Sequence, residues 1–156
     1  VALTTFFAAF QTLILAAWFG SMVYSIVVVQ QFQLRAPDPE TYEEVGQQMA
    51  SGSRRRILRL AVLIAISGTA LAITRLTDDP GPSATWITLM WVKLALFVVA
   101  VSAFAYQSWW VWPRRIFALP AEMAAVRRTF LVTSLVMAVA LGGILVVDVM
   151  AAYLAT

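Results

Sequence analysis

The chain has 156 residues, of which 62% are hydrophobic and only 12% are Asp, Glu, Lys or Arg. A soluble domain is about 45–50% apolar and about 25% charged, so this composition excludes a water-soluble enzyme and, equally, a disordered chain. The sequence holds no Cys and no His, which removes disulfides, thiolate chemistry, imidazole acid–base catalysis and the usual ligands of zinc, haem and copper. A formal charge of +3 in so apolar a chain points to Arg residues flanking a membrane rather than to nucleic acid.

A spanning helix needs about 20 mostly apolar residues, and four stretches qualify. The first covers about 5–29 and carries no charge. A cleavable signal peptide would want a basic leader and a shorter apolar centre, so this stretch reads as a helix of the mature protein. The second covers about 57–74, between an Arg cluster and Arg75. The third covers about 86–108 with one internal charge, Lys93, and the fourth about 129–153 with one, Asp148. The expected fold is therefore all-α, a single integral-membrane domain over 1–156 built as a four-helix bundle.

Of the eleven Lys and Arg residues, nine lie in the connections 30–56 and 109–128 or at their edges: Arg35, Arg54, Arg55, Arg56, Arg59, Arg114, Arg115, Arg127 and Arg128. Short-loop Lys and Arg mark the cytoplasmic face, which places both termini on the outer, periplasmic side of a bacterial inner membrane. Trp86 at one end of the third span and Trp109, Trp110 and Trp112 at the other suit the two interfaces. Trp18 lies too deep for that belt.

In the first connection, Asp38 is placed to cap a helix that Pro39 opens, and the polar stretch 40–56 reads as a solvated extension of the second span. Asp79-Pro80-Gly81-Pro82-Ser83 reads as a short outer turn. Pro113 is expected to stop the third helix and Pro120 to start the approach to the fourth. Arg54-Arg55-Arg56 before a span with Gly68, and Arg127-Arg128 before one with Gly142-Gly143, form a weak internal echo. Two helical hairpins would produce it, and so would any four spans obeying the charge rule.

Small residues recur at four-residue spacing, as Ala16 and Gly20, Ala17 and Ser21, Gly68 and Ala72, and Ser134, Ala138 and Gly142. Such rows let helices approach closely in lipid, either within the bundle or against another subunit. If the chain docks on a partner, the candidate surfaces are Ala16/Gly20 on the first helix and Ser134/Ala138/Gly142 on the fourth.

A charge inside a membrane needs a partner or a cavity. At 1.5 Å per residue Lys93 lies roughly 10 Å, and Asp148 roughly 8 Å, from the outer ends of their helices. Gln11 enters the first helix at a similar depth. The expectation is one buried polar cluster of Gln11, Lys93 and Asp148. The alternatives are a Lys93 that snorkels outward, an Asp148 that reaches water, or Arg75 as the partner of Asp148.

The segment Gln11 to Ser21, with Trp18 and Gly20, resembles the first-helix pattern of the copper-resistance D (CopD)-like family of small four-span membrane proteins. That pattern reads His, six mostly apolar residues, then Trp-x-Gly-Gly. Lys93-Leu94-Ala95-Leu96, followed by Gln107 and by Pro113-Arg114, is similar to the family's third helix, where a Lys opens an apolar run ending in His and a Pro-Arg follows. Leu119 to Met123 with Arg127-Arg128 resembles the family's approach to its last helix. The resemblance runs over nearly the whole chain and implies copper handling or small-solute transport. Gln11 and Gln107, however, stand where the family tends to place His, and Ser21 where it tends to place Gly. An amide is a poor copper ligand, and Met22, Met49, Met90, Met123, Met137 and Met150 show no Met-x-x-Met clustering.

No nucleophile–base pair or metal constellation supports an enzyme. The expectation is a non-enzymatic accessory or structural subunit packed against a larger membrane complex of respiratory or photosynthetic type. It would hold no cofactor of its own, its surroundings being the lipid bilayer and other membrane-protein subunits, with no nucleic acid. The alternative is metal (copper) handling or small-solute transport through a site without His.

Overall fold

A chain this apolar closes its backbone hydrogen bonds within helices, and no strand occurs among the described residues. The computed structural model describes residues 2–31, 39–77, 81–119 and 121–153. Asp38, Asp78, Asp79, Pro80 and Pro120, which figure in the expected caps and turns, lie outside them.

Helix α1 covers Ala2–Tyr24 and runs on through a π-helical turn, Ser25–Val29. Helix α2 is Pro39–Thr77, one unbroken rod that includes the polar stretch before the second span. Its first residue is Pro39, whose missing N–H is harmless there. Helix α3 is Ala84–Tyr106, capped by Ser83, whose hydroxyl accepts from the Trp86 N–H at 3.2 Å. A second π-helical turn, Gln107–Val111, joins it to the short α4, Trp112–Phe117. Helix α5 covers Met123–Tyr153. Four segments are long and apolar enough to cross a membrane: Leu3–Val29, Ser53–Thr77, Ala84–Phe117 and Met123–Tyr153.

The third segment corrects the expected stop at Pro113. The chain stays helical to Phe117, with Pro113 in the first turn of α4. The π turn immediately before it makes Trp112–Phe117 a new helical segment, and Pro113 lies in its first turn, where a missing N–H costs little. The third connection is correspondingly shorter than 109–128, since helix occupies both of its ends.

Helix α1 packs on α2 and α5, and α5 packs on α3. The α3–α5 pair is antiparallel, with Lys93 against Asp148, Leu96 under Gly143, Gln107 on Thr133 and Trp112 beside Phe130. The interior is a stripe from each helix at three- and four-residue spacing. Leu15, Trp18 and Met22 come from α1, Ile57, Ala61 and Ile64 from α2, Ala100 and Phe104 from α3, and Met137, Leu141 and Ile144 from α5. Trp18, too deep for the interfacial belt, is fully buried and meets Phe104 edge-on at 6.2 Å.

Large apolar side chains also cover the outer surface of the spans, with Leu13 71%, Val139 73% and Val149 68% exposed. Water would not tolerate a surface of that kind, and lipid matches it. Hydroxyls on that surface bond within their own helix, as Thr12 donates to the Ala8 carbonyl at 2.9 Å and Thr69 to the Ala65 carbonyl at 2.8 Å.

Candidate functional site

Polar side chains inside the bundle gather in two layers. The first lies toward the start of α1 and the end of α5. Lys93 is buried, and its ammonium donates to Gln11 Oε1 at 2.9 Å and to Asp148 Oδ1 in an ion pair. Gln11 is 2% exposed and turns its amide the other way, Nε2 donating to the Ile64 carbonyl of α2 at 3.5 Å. Ser67 Oγ donates to the same carbonyl at 3.2 Å. Three side chains thus link four helices. Lys93 points inward rather than snorkelling, and it, not Arg75, pairs with Asp148.

Gly68 makes this layer possible. A Cβ at that position would lie 2.8 Å from Gln11 Nε2, well inside contact distance. The amide of Gln11 therefore rests on bare backbone of α2. Gly68 stands out in the sequence as one of a small-residue row, but its pairing with Gln11 is a tertiary fact with no local signal.

Asp148 is served on one side only. Among the described residues its buried Oδ2 has no hydrogen-bond donor, and Lys93 is the partner of the carboxylate. No third titratable group adjoins the pair, and no group of three His, Cys, Asp or Glu converges among the described residues. The arrangement ties four helices together through one charge pair and one amide.

The second layer lies at the opposite, arginine-rich end and is built on the π turns. Gln107 opens the turn after α3, Gln30 follows the turn after α1, and both reach α5. Gln30 Nε2 donates to Ser134 Oγ at 3.2 Å and Gln107 Nε2 to the same oxygen at 3.4 Å. Thr133 Oγ1 donates to Gln107 Oε1 at 3.1 Å, and Ser134 Oγ donates to the Phe130 carbonyl at 2.9 Å. Gln11 and Gln107 therefore sit in separate layers and form no common site.

Beside this layer Arg54 Nη2 donates to the Ser108 carbonyl within the π turn at 2.8 Å and lies over the Trp109 ring at 5.7 Å. Arg115 is buried with its guanidinium 5.7 Å from the Trp112 ring and 5.4 Å from that of Phe130. Arg54, Gln30, Ser134 and Thr133 escaped sequence reasoning as partners. The sequence marked Ser134 only as a small residue of a four-spaced row and Arg54 only as a loop cation, and gave no signal for Gln30 or Thr133.

The remaining motif positions divide. Trp18 is core, Gly20 is exposed with nothing near its missing Cβ, Pro113 shapes α4, and Arg114 is exposed. The two candidate docking rows also divide. Ser134 and Ala138 are buried and a Cβ on Gly142 would meet Phe19 at 3.3 Å, so that row packs inside the bundle and presents no outward surface. The helix periodicity turns it inward with Leu141. Ala16 and Gly20, by contrast, lie on the outer surface. Of the methionines, Met22 and Met137 belong to the core and Met150 faces outward. Comparison of the chain with protein-family models, with curated proteins and with solved structures returns no match.

Proposed function

We propose that the chain is a non-enzymatic accessory subunit, a four-helix scaffold packed against a larger assembly in a bacterial inner membrane, with both termini on the periplasmic side. The observation that carries this reading is that the polar side chains of both layers engage one another across helices. Lys93 is held by Gln11 and Asp148, and Gln107 by Thr133 and Ser134, which is bracing rather than chemistry. The arginine-rich end supports the orientation through the positive-inside rule. The outward strip of Ala16 and Gly20 supports a helix contact with a neighbouring subunit, because small residues let backbones approach closely.

The copper-resistance resemblance supports a second reading, metal handling or solute transport. The two Gln at family His positions weigh against it, since both amides are engaged in helix–helix hydrogen bonds. Gentle extraction from the native membrane followed by native mass measurement tests the two. A subunit comigrates with larger partners, and Gly20→Leu releases it while the bundle stays folded, because nothing lies within 4 Å of the missing Cβ. A chain found only as a free monomer, or copper retained through purification, overturns the subunit reading.

A further inference from the structure

On the lipid-facing side, α3 and α5 leave a groove of about 340 Å³ between them, lined by Leu96 and Val99 of α3 and by Val132, Leu135, Val136 and Val139 of α5. The groove-lining positions of α5 continue back to a charge. Arg128, Val132, Leu135 and Val139 follow the i, i+4, i+7, i+11 spacing of one helix face. Arg128 is exposed and, among the described residues, has no carboxylate beside it.

The chain opposite carries a charge at the same level. The Trp112 and Phe130 rings meet at 6.3 Å, and antiparallel steps of two residues from that contact bring Arg114 level with Arg128. Arg114 is exposed, and one turn before it Trp110 is 59% exposed. The apolar trough therefore runs toward a level of the two helices that carries two exposed guanidinium groups and an exposed indole.

We infer that this groove holds one anionic phospholipid, an acyl chain lying along the valines and the phosphate between Arg114 and Arg128. Guanidinium groups bind phosphate through paired N–H donors, and Trp sits at the level where headgroup meets hydrocarbon. A zwitterionic headgroup would bring its own cation to the two arginines. A second copy of the chain fits poorly, because two copies in one membrane share an orientation and would set Arg114 and Arg128 against their own like charges.

The test is native mass spectrometry of the full chain purified with equal phosphatidylglycerol and phosphatidylcholine. One phosphatidylglycerol per chain should survive delipidation, with phosphatidylcholine stripped. Arg114→Gln with Arg128→Gln should lower its retention roughly tenfold or more, and the corresponding double Lys variant should keep it. Val136→Trp, which fills the groove without touching a charge, should also expel it. Soluble glycerophosphoglycerol should not displace the lipid, since a headgroup alone lacks the acyl contact. Equal retention of both lipids by the unaltered chain, retention unchanged in the double Gln variant or in Val136→Trp, displacement by the soluble headgroup, or a lipid-free dimer would each overturn the proposal. The lipid comparison on the unaltered chain decides it even if a variant misfolds.

Discussion

Lys93, Asp148 and Gln11 make the sharpest residue-scale case, because Lys93 and Gln11 are buried, Asp148 is half-buried, and each depends on the next. Lys93→Met strands a carboxylate whose second oxygen already lacks a donor, and breaking a buried pair from one side costs about 3–5 kcal/mol. Lys93→Met combined with Asp148→Leu should recover most of that loss, since an apolar pair of similar volume removes both desolvation penalties. Thermal unfolding of the three chains in one detergent measures the difference. A double variant as unstable as the single one would mean that the pair does more than brace. Gly68→Ala tests the other arm of the layer. The new methyl would sit 2.8 Å from Gln11 Nε2, so the amide must leave the Ile64 carbonyl, at about 1–3 kcal/mol for the unmet polar group. Gln11→Ala in the same chain should relieve most of the clash, and additivity of the two changes would count against the contact.

At the scale of elements, the depth of polar groups was legible and the facing of apolar ones was not. Counting residues from helix ends placed Gln11, Lys93 and Asp148 together, because rise per residue is fixed and an intramembrane charge needs a partner. Which apolar face turns inward had no comparable signal, since Leu13 outside and Leu15 inside are the same residue in different solvents. Small residues ran better as markers, but Ser134/Ala138 went inward and Ala16/Gly20 outward with identical spacing. The π turns were invisible for another reason. Each is a local rearrangement of hydrogen bonds that places Gln30 or Gln107 on Ser134, and no residue pattern specifies it. A consequence is that Gly142→Leu should not act as a docking mutation. Its added bulk falls on Phe19, and overpacking of this kind costs about 1–3 kcal/mol of bundle stability. Loss of stability with Gly142→Leu, and unaltered stability with Gly20→Leu, is the expected contrast in the same unfolding assay.

The whole molecule is polarised along its length. An ion pair and an amide occupy one end of the interior, while hydroxyls, amides and a rim of arginines occupy the other. Because these 156 residues contain no Cys, single-cysteine variants of them report topology at one position. Gly81 and Ala125 are both exposed and lie at opposite ends. A membrane-impermeant maleimide added to sealed cells should label Gly81→Cys and should reach Ala125→Cys only after lysis. The reverse result would invert the proposed orientation.

Among the described residues the weakest edge of the bundle is the one between α2 and α3, which scarcely meet and are clasped chiefly where Arg54 grips the π turn. The chain is in that sense two pieces, the α1–α2 hairpin and the α3–α5 hairpin, fastened through the α1–α5 contact and through Gln11. Each piece carries half of the first layer, Gln11 and the Ile64 carbonyl on one and the Lys93–Asp148 pair on the other. Severing the link near Gly81 should then leave fragments that find one another again in the membrane, the second hairpin arriving with its charge already neutralised and the first supplying the socket.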